Sequence, residues 1–153
     1  MIETGTNAPD FTLPRDGGGA VTLSALAPKK VVLYFYPKDD TPGCTTEALD
    51  FTRLSDEFAA AGALVIGISK DSVAAHDKFC AKHSLSVILA SDEAGSVCED
   101  YGVWGEKKMY GKTFMGITRA TVLVDGAGKV ARVWPKVKVD GHATEVLDAV
   151  RAL

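Results

Sequence analysis

The sequence has no long hydrophobic run and no surplus of positive charge. Its longest apolar runs span residues 31–36 and 63–68, against the roughly 20 residues that a membrane-spanning helix needs. Lysine and arginine together number 17, against 20 aspartate and glutamate residues, whereas a nucleic-acid-binding domain usually carries a basic surplus. The N-terminus contains Glu3 and Asp10 and no apolar stretch, so we expect no signal peptide. We therefore expect neither a membrane nor a nucleic acid as a partner.

Cysteine is also scarce, because the chain contains only Cys44, Cys80 and Cys98. An odd and sparse set is not typical of a small secreted domain held together by disulfides. Thiols in a protein without an export signal stay reduced, and a disulfide in such a protein is more often transient and catalytic than structural. The sequence therefore predicts a cytoplasmic protein and leaves thiol chemistry open.

The 153 residues, of which 46% are hydrophobic, suffice for one globular domain spanning residues 1–153. Strands are predicted from β-branched and alternating patterns at residues 10–13, 20–23, 31–36, 63–69, 87–90, 120–124 and 129–134. Helices are predicted from the 3.6-residue apolar period at residues 45–61, 72–83, 94–101 and 142–152, with an irregular Gly-rich stretch before residue 120. This order predicts an α/β, thioredoxin-like fold: a central mixed sheet with helices on both faces and a short N-terminal hairpin.

The loop at residues 37–44, which follows the first buried strand, is the most chemically specific segment of the sequence. Active sites of open α/β sheets form at the carboxyl ends of strands, where this loop lies. We expect Cys44 in the first turn of a helix that begins near Gly43, because unpaired N–H groups and the helix dipole stabilise a thiolate there. Thr41 adds a hydroxyl that can donate to the sulfur or to a bound oxygen.

A thiolate alone does not make a fast catalyst, because nucleophilicity falls as the thiol pKa falls. A fixed hydrogen-bond donor has to stabilise the charge that develops during attack. Arg119 is the candidate donor, since it directly precedes the predicted strand at residues 120–124; the alternative is a surface ion pair. Glu47 could pair with Arg119, or could be only a favourable carboxylate in a first helical turn.

The spacing Pro-x-x-x-Thr-x-x-Cys formed by Pro37, Thr41 and Cys44, together with Arg119, resembles that of a peroxiredoxin. The bacterioferritin-comigratory-protein (peroxiredoxin Q) subfamily is resembled by three segments, at residues 35–38, 41–45 and 101–107. The similarity runs from about Gly5 to the C-terminal helix. It implies a thiol peroxidase that reduces hydrogen peroxide and organic hydroperoxides as a monomer, without a metal, flavin or haem.

The resemblance also implies a role for each residue of the motif. Cys44 matches the peroxidatic cysteine, which attacks the O–O bond and becomes a sulfenic acid. Thr41 and Arg119 match the groups that position the peroxide and stabilise the transition state, and Pro37 matches the residue that shields the sulfenate. Gly43 and Glu47 would support this site.

The position of the second, resolving cysteine departs from that of many subfamily members. Their resolving cysteine lies five residues after the peroxidatic one, where this chain has Leu49. A smaller group carries it on the next helix, and Cys80 matches that position. The resemblance therefore implies an intramolecular Cys44–Cys80 disulfide, re-reduced by thioredoxin or a similar dithiol. Because bridged Cα atoms lie within about 7 Å, both helices would have to unwind partly.

The surroundings of the two other cysteines predict different reactivities. His76 and His83 share a helical face with Cys80, and with the nearby lysines they are expected to lower the pKa of that thiol. Cys98 is followed by Glu99 and Asp100, which would raise its pKa, so we expect it to be structural.

Four other functions compete with a two-cysteine peroxidase. In a one-cysteine peroxidase Cys80 would be inert, and in a redox sensor the same thiols would signal rather than turn over. A metal-binding module would use His76, Cys80 and His83, although zinc sites usually draw four ligands from two segments. A thiol–disulfide oxidoreductase normally shows Cys-x-x-Cys, and Glu47 stands where its second cysteine would be.

Overall fold

A computed structural model describes all residues from 1 to 153. Its strands are β1 (Thr12–Pro14), β2 (Ala20–Thr22), β3 (Lys30–Phe35), β4 (Ala63–Ser69), β5 (Ile88–Ser91), β6 (Trp104–Met109), β7 (Lys112–Ile117), β8 (Ala120–Val124) and β9 (Val130–Trp134). Its α-helices are α1 (Pro42–Arg53), α2 (Ser55–Ala60), α3 (Val73–His83), α4 (Val97–Asp100) and α5 (His142–Arg151). None of these helices is both long enough and apolar enough to cross a bilayer.

The central sheet has five strands in the order β5-β4-β3-β8-β9. β3 is parallel to β4, and β4 to β5, whereas β8 pairs antiparallel with both β3 and β9. β1 and β2 form a separate N-terminal hairpin. This arrangement confirms the predicted thioredoxin-like fold with a mixed sheet.

Two hydrophobic clusters cover the two faces of the sheet. Successive side chains of a strand point to opposite faces, so β3 contributes Val31, Leu33 and Phe35 to one cluster and Val32, Tyr34 and Tyr36 to the other. Helices α1, α2, α3 and α5 pack on the Tyr34 side, which also contains Cys44. Helix α4 and the N-terminal hairpin pack on the opposite side, which contains Cys98.

The predicted single helix at residues 45–61 is wrong in its bounds, because the structure has two helices there. Helix α1 begins earlier, with Pro42 at a position where its missing N–H costs nothing. It ends at Leu54, whose backbone leaves the helical region, and α2 follows directly. Phe51 and Phe58 remain buried on the same side, so the apolar period continues across a break that it could not reveal.

The prediction of irregular structure for the Gly-rich stretch before residue 120 is also wrong, because β6 and β7 form an antiparallel hairpin there. Tyr110 and Gly111 both have positive φ, at 52° and 76°, as a two-residue type I′ turn requires. Ile117 is the only buried residue of the two strands. Without a buried face there is no apolar alternation, which explains why the pattern predicted no strand.

Gly67 makes room for the ring of Tyr34, the residue directly opposite it on β3. A Cβ on Gly67 would lie 2.6 Å from Tyr34 Cζ and 2.9 Å from Leu89 Cδ2. The Tyr34 ring stacks in turn on Phe51 of α1, with ring centroids 4.8 Å apart. The missing side chain at Gly67 therefore sets how closely α1 packs on the sheet.

We predict that Gly67→Ala destabilises the reduced protein by about 1–3 kcal/mol, because the added methyl group overpacks the buried Tyr34 ring. Gly105→Ala in β6 is the matched control, since a Cβ there meets nothing within 4 Å. Urea unfolding followed by circular dichroism measures both. Equal midpoints for Gly67→Ala and the wild type would contradict this account of the packing.

Candidate active site

Cys44 lies in the first turn of α1, as the sequence predicted. Thr41 is the residue that caps the helix, and the backbone N–H of Thr45 donates to its carbonyl at 2.8 Å. Pro42 and Gly43 separate the cap from Cys44. The Cys44 side chain is buried at the helix end where the dipole favours negative charge, and this end meets the carboxyl end of β3.

Arg119 joins Cys44 to Glu47. Its Nη2 donates to Cys44 Sγ at 3.3 Å, and its Nη1 donates to Glu47 Oε1 at 2.6 Å. The Glu47 side chain is 2% exposed and that of Arg119 17%. The structure thus confirms that Glu47 pairs with Arg119. Because both side chains are largely buried, it also excludes the alternative that Arg119 forms an ion pair on the surface. A guanidinium has five N–H donors, so others remain for a ligand beside the sulfur.

Gly43 leaves space for this guanidinium. A Cβ at Gly43 would lie 3.3 Å from Arg119 Nη2, which is closer than side-chain carbons ordinarily approach. A larger residue would therefore press on the group that contacts the sulfur. The supporting role predicted for Gly43 is consistent with this geometry.

Burial dominates the electrostatics of Glu47. It raises the pKa of this carboxyl to about 7, although the charge and hydrogen bond of Arg119 act in the opposite direction. Burial lowers the pKa of Arg119, but the charge of Glu47 and the contact with Cys44 outweigh it and raise the pKa overall. Glu47 Oε2 has no hydrogen-bond partner. The pair therefore fixes the guanidinium at the cost of a strongly desolvated carboxylate.

Thr41 and Pro37 lie near the beginning of α1 in different settings. The Thr41 hydroxyl donates to the carbonyl of Lys38 at 2.8 Å. Of the two acceptors expected for it, the cysteine sulfur and a bound oxygen, the sulfur therefore receives no hydrogen bond from it in this structure. Its oxygen can still accept a hydrogen bond, because a hydroxyl offers two lone pairs. Pro37 is exposed where the chain leaves β3.

Cys80 lies in α3 with its sulfur facing a carboxylate. Its Sγ is 3.7 Å from Asp16 Oδ2. Burial raises the pKa of the thiol to about 12, and the charge of Asp16 and this contact add to the effect. The expectation of a lowered pKa at Cys80 is therefore wrong for the folded protein.

Three of the cationic groups expected to activate Cys80 pair instead with two carboxylates of the 37–44 loop. His76 Nδ1 lies 2.6 Å from Asp39 Oδ2. Asp40 binds Lys82 at 2.7 Å and His83 at 2.9 Å. No sequence motif assigned a role to Asp39 and Asp40; the only signal for these contacts was two adjacent acids in the loop and two histidines on one helix.

These contacts also separate the residues of the hypothetical metal site. His76 points to Asp39, Cys80 to Asp16 and His83 to Asp40. The three side chains do not form a group that could hold a metal ion.

Cys98 is enclosed on the opposite side of the sheet from Cys44. Burial raises the pKa of its thiol, and the negative charge of Asp92 and its hydrogen bond with the thiol add to this. The Asp92 carboxylate is held beside Cys98 by a hydrogen bond that it accepts from the Cys98 backbone N–H at 2.9 Å. The direction agrees with the prediction. The carboxylate responsible is mainly Asp92 rather than the adjacent acids.

The chain is similar to proteins of one family. The profile of the AhpC/TSA family matches residues 4–133. A protein of Coxiella burnetii named putative peroxiredoxin bcp is 53% identical, over 95% of this chain and 97% of that protein. The bacterioferritin comigratory protein of Xanthomonas campestris, solved in a study of alkyl peroxide reduction, superimposes with a TM-score of 0.91 at 46% identity and covers 98% of both chains. Two solved structures of Xanthomonas campestris peroxiredoxin Q are cysteine-to-serine mutants, each 49% identical with a TM-score of 0.88 over 93% of this chain and 90% of that chain.

The raised pKa of Glu47 should make stability depend on pH. The ordinary pKa is 4.5 and the folded value about 7, so the folded state binds this proton more tightly than the unfolded chain. The free energy of unfolding of the wild type should therefore fall relative to that of Glu47→Gln as the pH rises from 4.5 to 7. The difference reaches up to about 3 kcal/mol for a shift of this size. Urea unfolding of both reduced proteins at intervals of pH measures it.

Glu57→Gln is the control for this comparison. Glu57 forms a half-exposed ion pair with Arg151, and such pairs contribute about 0–1 kcal/mol. Its stability should follow the wild type across the whole pH range. A curve for Glu47→Gln that is also parallel to the wild type would contradict the effect of burial on Glu47.

Proposed function

The chain belongs to the AhpC/TSA family as a peroxiredoxin of the Bcp type, and on that premise we propose that Cys44 reduces hydroperoxides and Cys80 resolves the product. A peroxiredoxin of this type is a thiol-dependent peroxidase, so its cycle needs a hydroperoxide substrate and a thiol reductant. We propose a part in this cycle for each residue of the site.

In the first step the Cys44 thiolate attacks the terminal oxygen of the hydroperoxide. The S–O bond forms as the O–O bond breaks, the alkoxide or hydroxide leaves and takes a proton from solvent, and Cys44 becomes a sulfenic acid. The contact of Arg119 with Cys44 Sγ at 3.3 Å carries this proposal. It places a cation where charge moves from sulfur to oxygen, and fixed donors of this kind typically contribute a few kcal/mol.

The neighbours of Cys44 would orient the peroxide and protect the product. The Thr41 oxygen, which already donates its proton to Lys38, is free to accept from the O–H of the hydroperoxide. Pro37 would limit the access of water to the sulfenic acid. The study of the Xanthomonas protein concerns alkyl peroxides, and we propose both these and hydrogen peroxide as substrates of this chain.

In the second step the Cys80 thiol attacks the Cys44 sulfur. The S–S bond forms, the S–O bond breaks, and water leaves with the Cys80 proton. Cys80 packs against the same hydrophobic cluster as Cys44, whereas Cys98 lies across the sheet. The serine substitutions in the Xanthomonas structures replace two cysteines with the same separation in sequence as Cys44 and Cys80.

This second step would need α1 and α3 to open locally. Both cysteines are free and lie on separate helices, and the pKa of Cys80 is raised to about 12 while it faces Asp16. Unwinding α3 would bring Cys80 within bonding distance of Cys44 and would also remove it from that carboxylate. The folded form would therefore favour attack on peroxide, and the opened form the disulfide.

The Cys44–Cys80 disulfide has to be reduced before a second turnover. Thioredoxin or a similar dithiol would supply the two electrons and two protons that restore both thiols. Such donors maintain reducing compartments, so we propose that the protein works in the cytoplasm. We further propose that it acts as a monomer, since both cysteines of the cycle come from one chain.

Intact mass after one equivalent of hydrogen peroxide tests the two-cysteine cycle, with free thiols alkylated and peptides mapped. We expect the wild type and Cys98→Ser to lose two hydrogens and to contain a Cys44–Cys80 link. Cys80→Ser should instead retain oxygen on Cys44, since no resolving thiol remains. Oxygen on Cys44 of the wild type with Cys80 alkylated would make the protein a one-cysteine peroxidase. No change in mass would remove peroxide chemistry altogether.

We predict that Arg119→Lys lowers the second-order rate constant for hydrogen peroxide by about 100- to 1000-fold, because one ammonium cannot reproduce the forked contacts with Cys44 and Glu47. Stopped-flow oxidation of the reduced protein measures the rate, and urea unfolding confirms that the variant is folded. Arg132→Lys in β9 is the control, since Arg132 is half-exposed and contacts Glu145. A rate for Arg119→Lys within threefold of the wild type would contradict the role of the guanidinium.

A further inference from the structure

A buried polar network connects the loop before Cys44 to the helix that carries Cys80. Asp39 in the loop and His76 in α3 are 6% and 0% exposed, and Asp39 Oδ2 lies 2.6 Å from His76 Nδ1. Tyr36 donates through its hydroxyl to Asp39 Oδ1. The other ring nitrogen of His76, Nε2, lies 3.0 Å from the carbonyl oxygen of Ala90 in β5.

The partners of the His76 ring define its protonation. The Ala90 carbonyl can only accept a hydrogen bond, so Nε2 must carry a proton. Nδ1 faces a carboxylate, which when ionised also only accepts, so Nδ1 must carry one as well. His76 is therefore a buried imidazolium paired with the Asp39 carboxylate. Deprotonation would leave one ring lone pair facing an acceptor oxygen.

A second, exposed set of contacts follows the same path from loop to helix. Asp40 pairs with Lys82 and His83, but the Asp40 and Lys82 side chains are 41% and 61% exposed. Exposed pairs contribute about 0–1 kcal/mol, whereas breaking a buried pair from one side costs about 3–5 kcal/mol. The connection between loop and helix therefore depends mainly on Asp39 and His76.

The position of this pair matters for the disulfide step. Asp39 precedes Cys44 by five residues, and His76 precedes Cys80 by one helical turn. If the start of α1 and the helix α3 unwind so that the two cysteines approach each other, Asp39 and His76 have to leave the buried site that they share. Neither side chain touches the reacting sulfur atoms, so both are positioning residues.

We propose that Asp39 and His76 form a proton-dependent latch that slows conversion of the Cys44 sulfenic acid to the disulfide. The proposal rests on the Cys44–Cys80 cycle proposed above. While the latch is closed, the sulfenic acid stays in the folded site, where a second hydroperoxide can oxidise it. In that reaction its sulfur gains an oxygen as the O–O bond of the peroxide breaks, giving sulfinic acid and an alcohol or water. The latch therefore sets how readily Cys44 is over-oxidised.

The groups around His76 determine the sign of the pH dependence. Asp39 faces it from the loop, Tyr36 from the end of β3 at 3.5 Å, and Asp71 adds negative charge from the segment before α3. Burial lowers the pKa of His76, but the hydrogen bond and charge of Asp39 outweigh burial and raise it overall. A group with a raised pKa stabilises the folded form at low pH, and this contribution is lost as the pH rises through the folded pKa.

Asp39→Asn distinguishes a charged latch from simple packing. Its amide N–H can donate to Nδ1 of a neutral His76 whose Nε2 proton still binds the Ala90 carbonyl, so the contacts persist without charge or titration. Hydrogen bonds with a charged partner exceed neutral ones by about 1 kcal/mol, or about fivefold in rate. We expect the variant to form the disulfide about fivefold faster than the wild type at pH 6, and this ratio to be smaller at pH 8.5, because His76 loses its proton as the pH rises.

The experiment measures disulfide formation by rapid acid quench and mass spectrometry after one equivalent of hydrogen peroxide. Using the ratio of variant to wild type cancels the common pH dependence of Cys80 ionisation. Asp40→Asn is the matched control: it keeps a residue type that tolerates the positive φ of 57° there and should give a ratio near one at both pH values. His76→Gln, which also removes the titrating group, should give a ratio that likewise falls between pH 6 and 8.5. If the ratio is the same at pH 6 and pH 8.5 for Asp39→Asn or for His76→Gln, the latch is overturned.

Amide hydrogen exchange on the reduced proteins separates failure of the latch from failure of the proposed cycle. We expect protection of α3 and of residues 39–44 in the wild type to fall relative to Asp39→Asn between pH 6 and 8.5. If this holds but neither protein forms a Cys44–Cys80 disulfide, the proposed cycle is wrong, and the Asp39–His76 pair has no disulfide step to slow. If the disulfide forms but the exchange ratio is constant, the cycle stands and the latch is wrong.

Discussion

The structure of the site depends on holding one guanidinium in a largely buried position beside a thiol. Antiparallel pairing makes this possible: the end of β3 lies beside the start of β8, with Phe35 opposite Ala120. The helix that begins after β3 presents Cys44, and the residue before β8 is Arg119. A buried cation needs a partner, and Glu47, one helical turn after Cys44, supplies it at 2.6 Å. The central strand pairing thus places two residues far apart in sequence within hydrogen-bonding distance.

The carboxylates of this region divide into three sets with different effects. Glu47 acts on the reacting sulfur through Arg119, and its burial is a cost that the ion pair offsets only in part. Asp39 and Asp40 act away from the sulfur and join the loop to α3. Burial, together with the charge of Asp16 from the N-terminal hairpin, keeps Cys80 protonated. The folded enzyme therefore holds a cation against the Cys44 sulfur and opposes ionisation of Cys80.

The order of the elements and most of the candidate site could be predicted from the sequence, because their signals are local. The buried run that forms β3, the Pro42-Gly43-Cys44 helix start and the position of Arg119 before β8 all depend on short segments. The β6–β7 hairpin could not be predicted in this way, since Ile117 is its only buried strand residue and no apolar alternation marks it. The helix break at Leu54 was hidden because the buried side chains keep the helical period across it.

The sequence by itself determined the fold class and the cysteine that lies at a helix start, because chain order, periodicity and capping are encoded in neighbouring residues. Only the tertiary structure decided which charges surround each thiol. The histidines near Cys80 in sequence turn to Asp39 and Asp40, and the carboxylate that faces its sulfur, Asp16, comes from a distant hairpin. Electrostatic interactions depend on distance in space and on burial, and neither can be read from spacing along the chain.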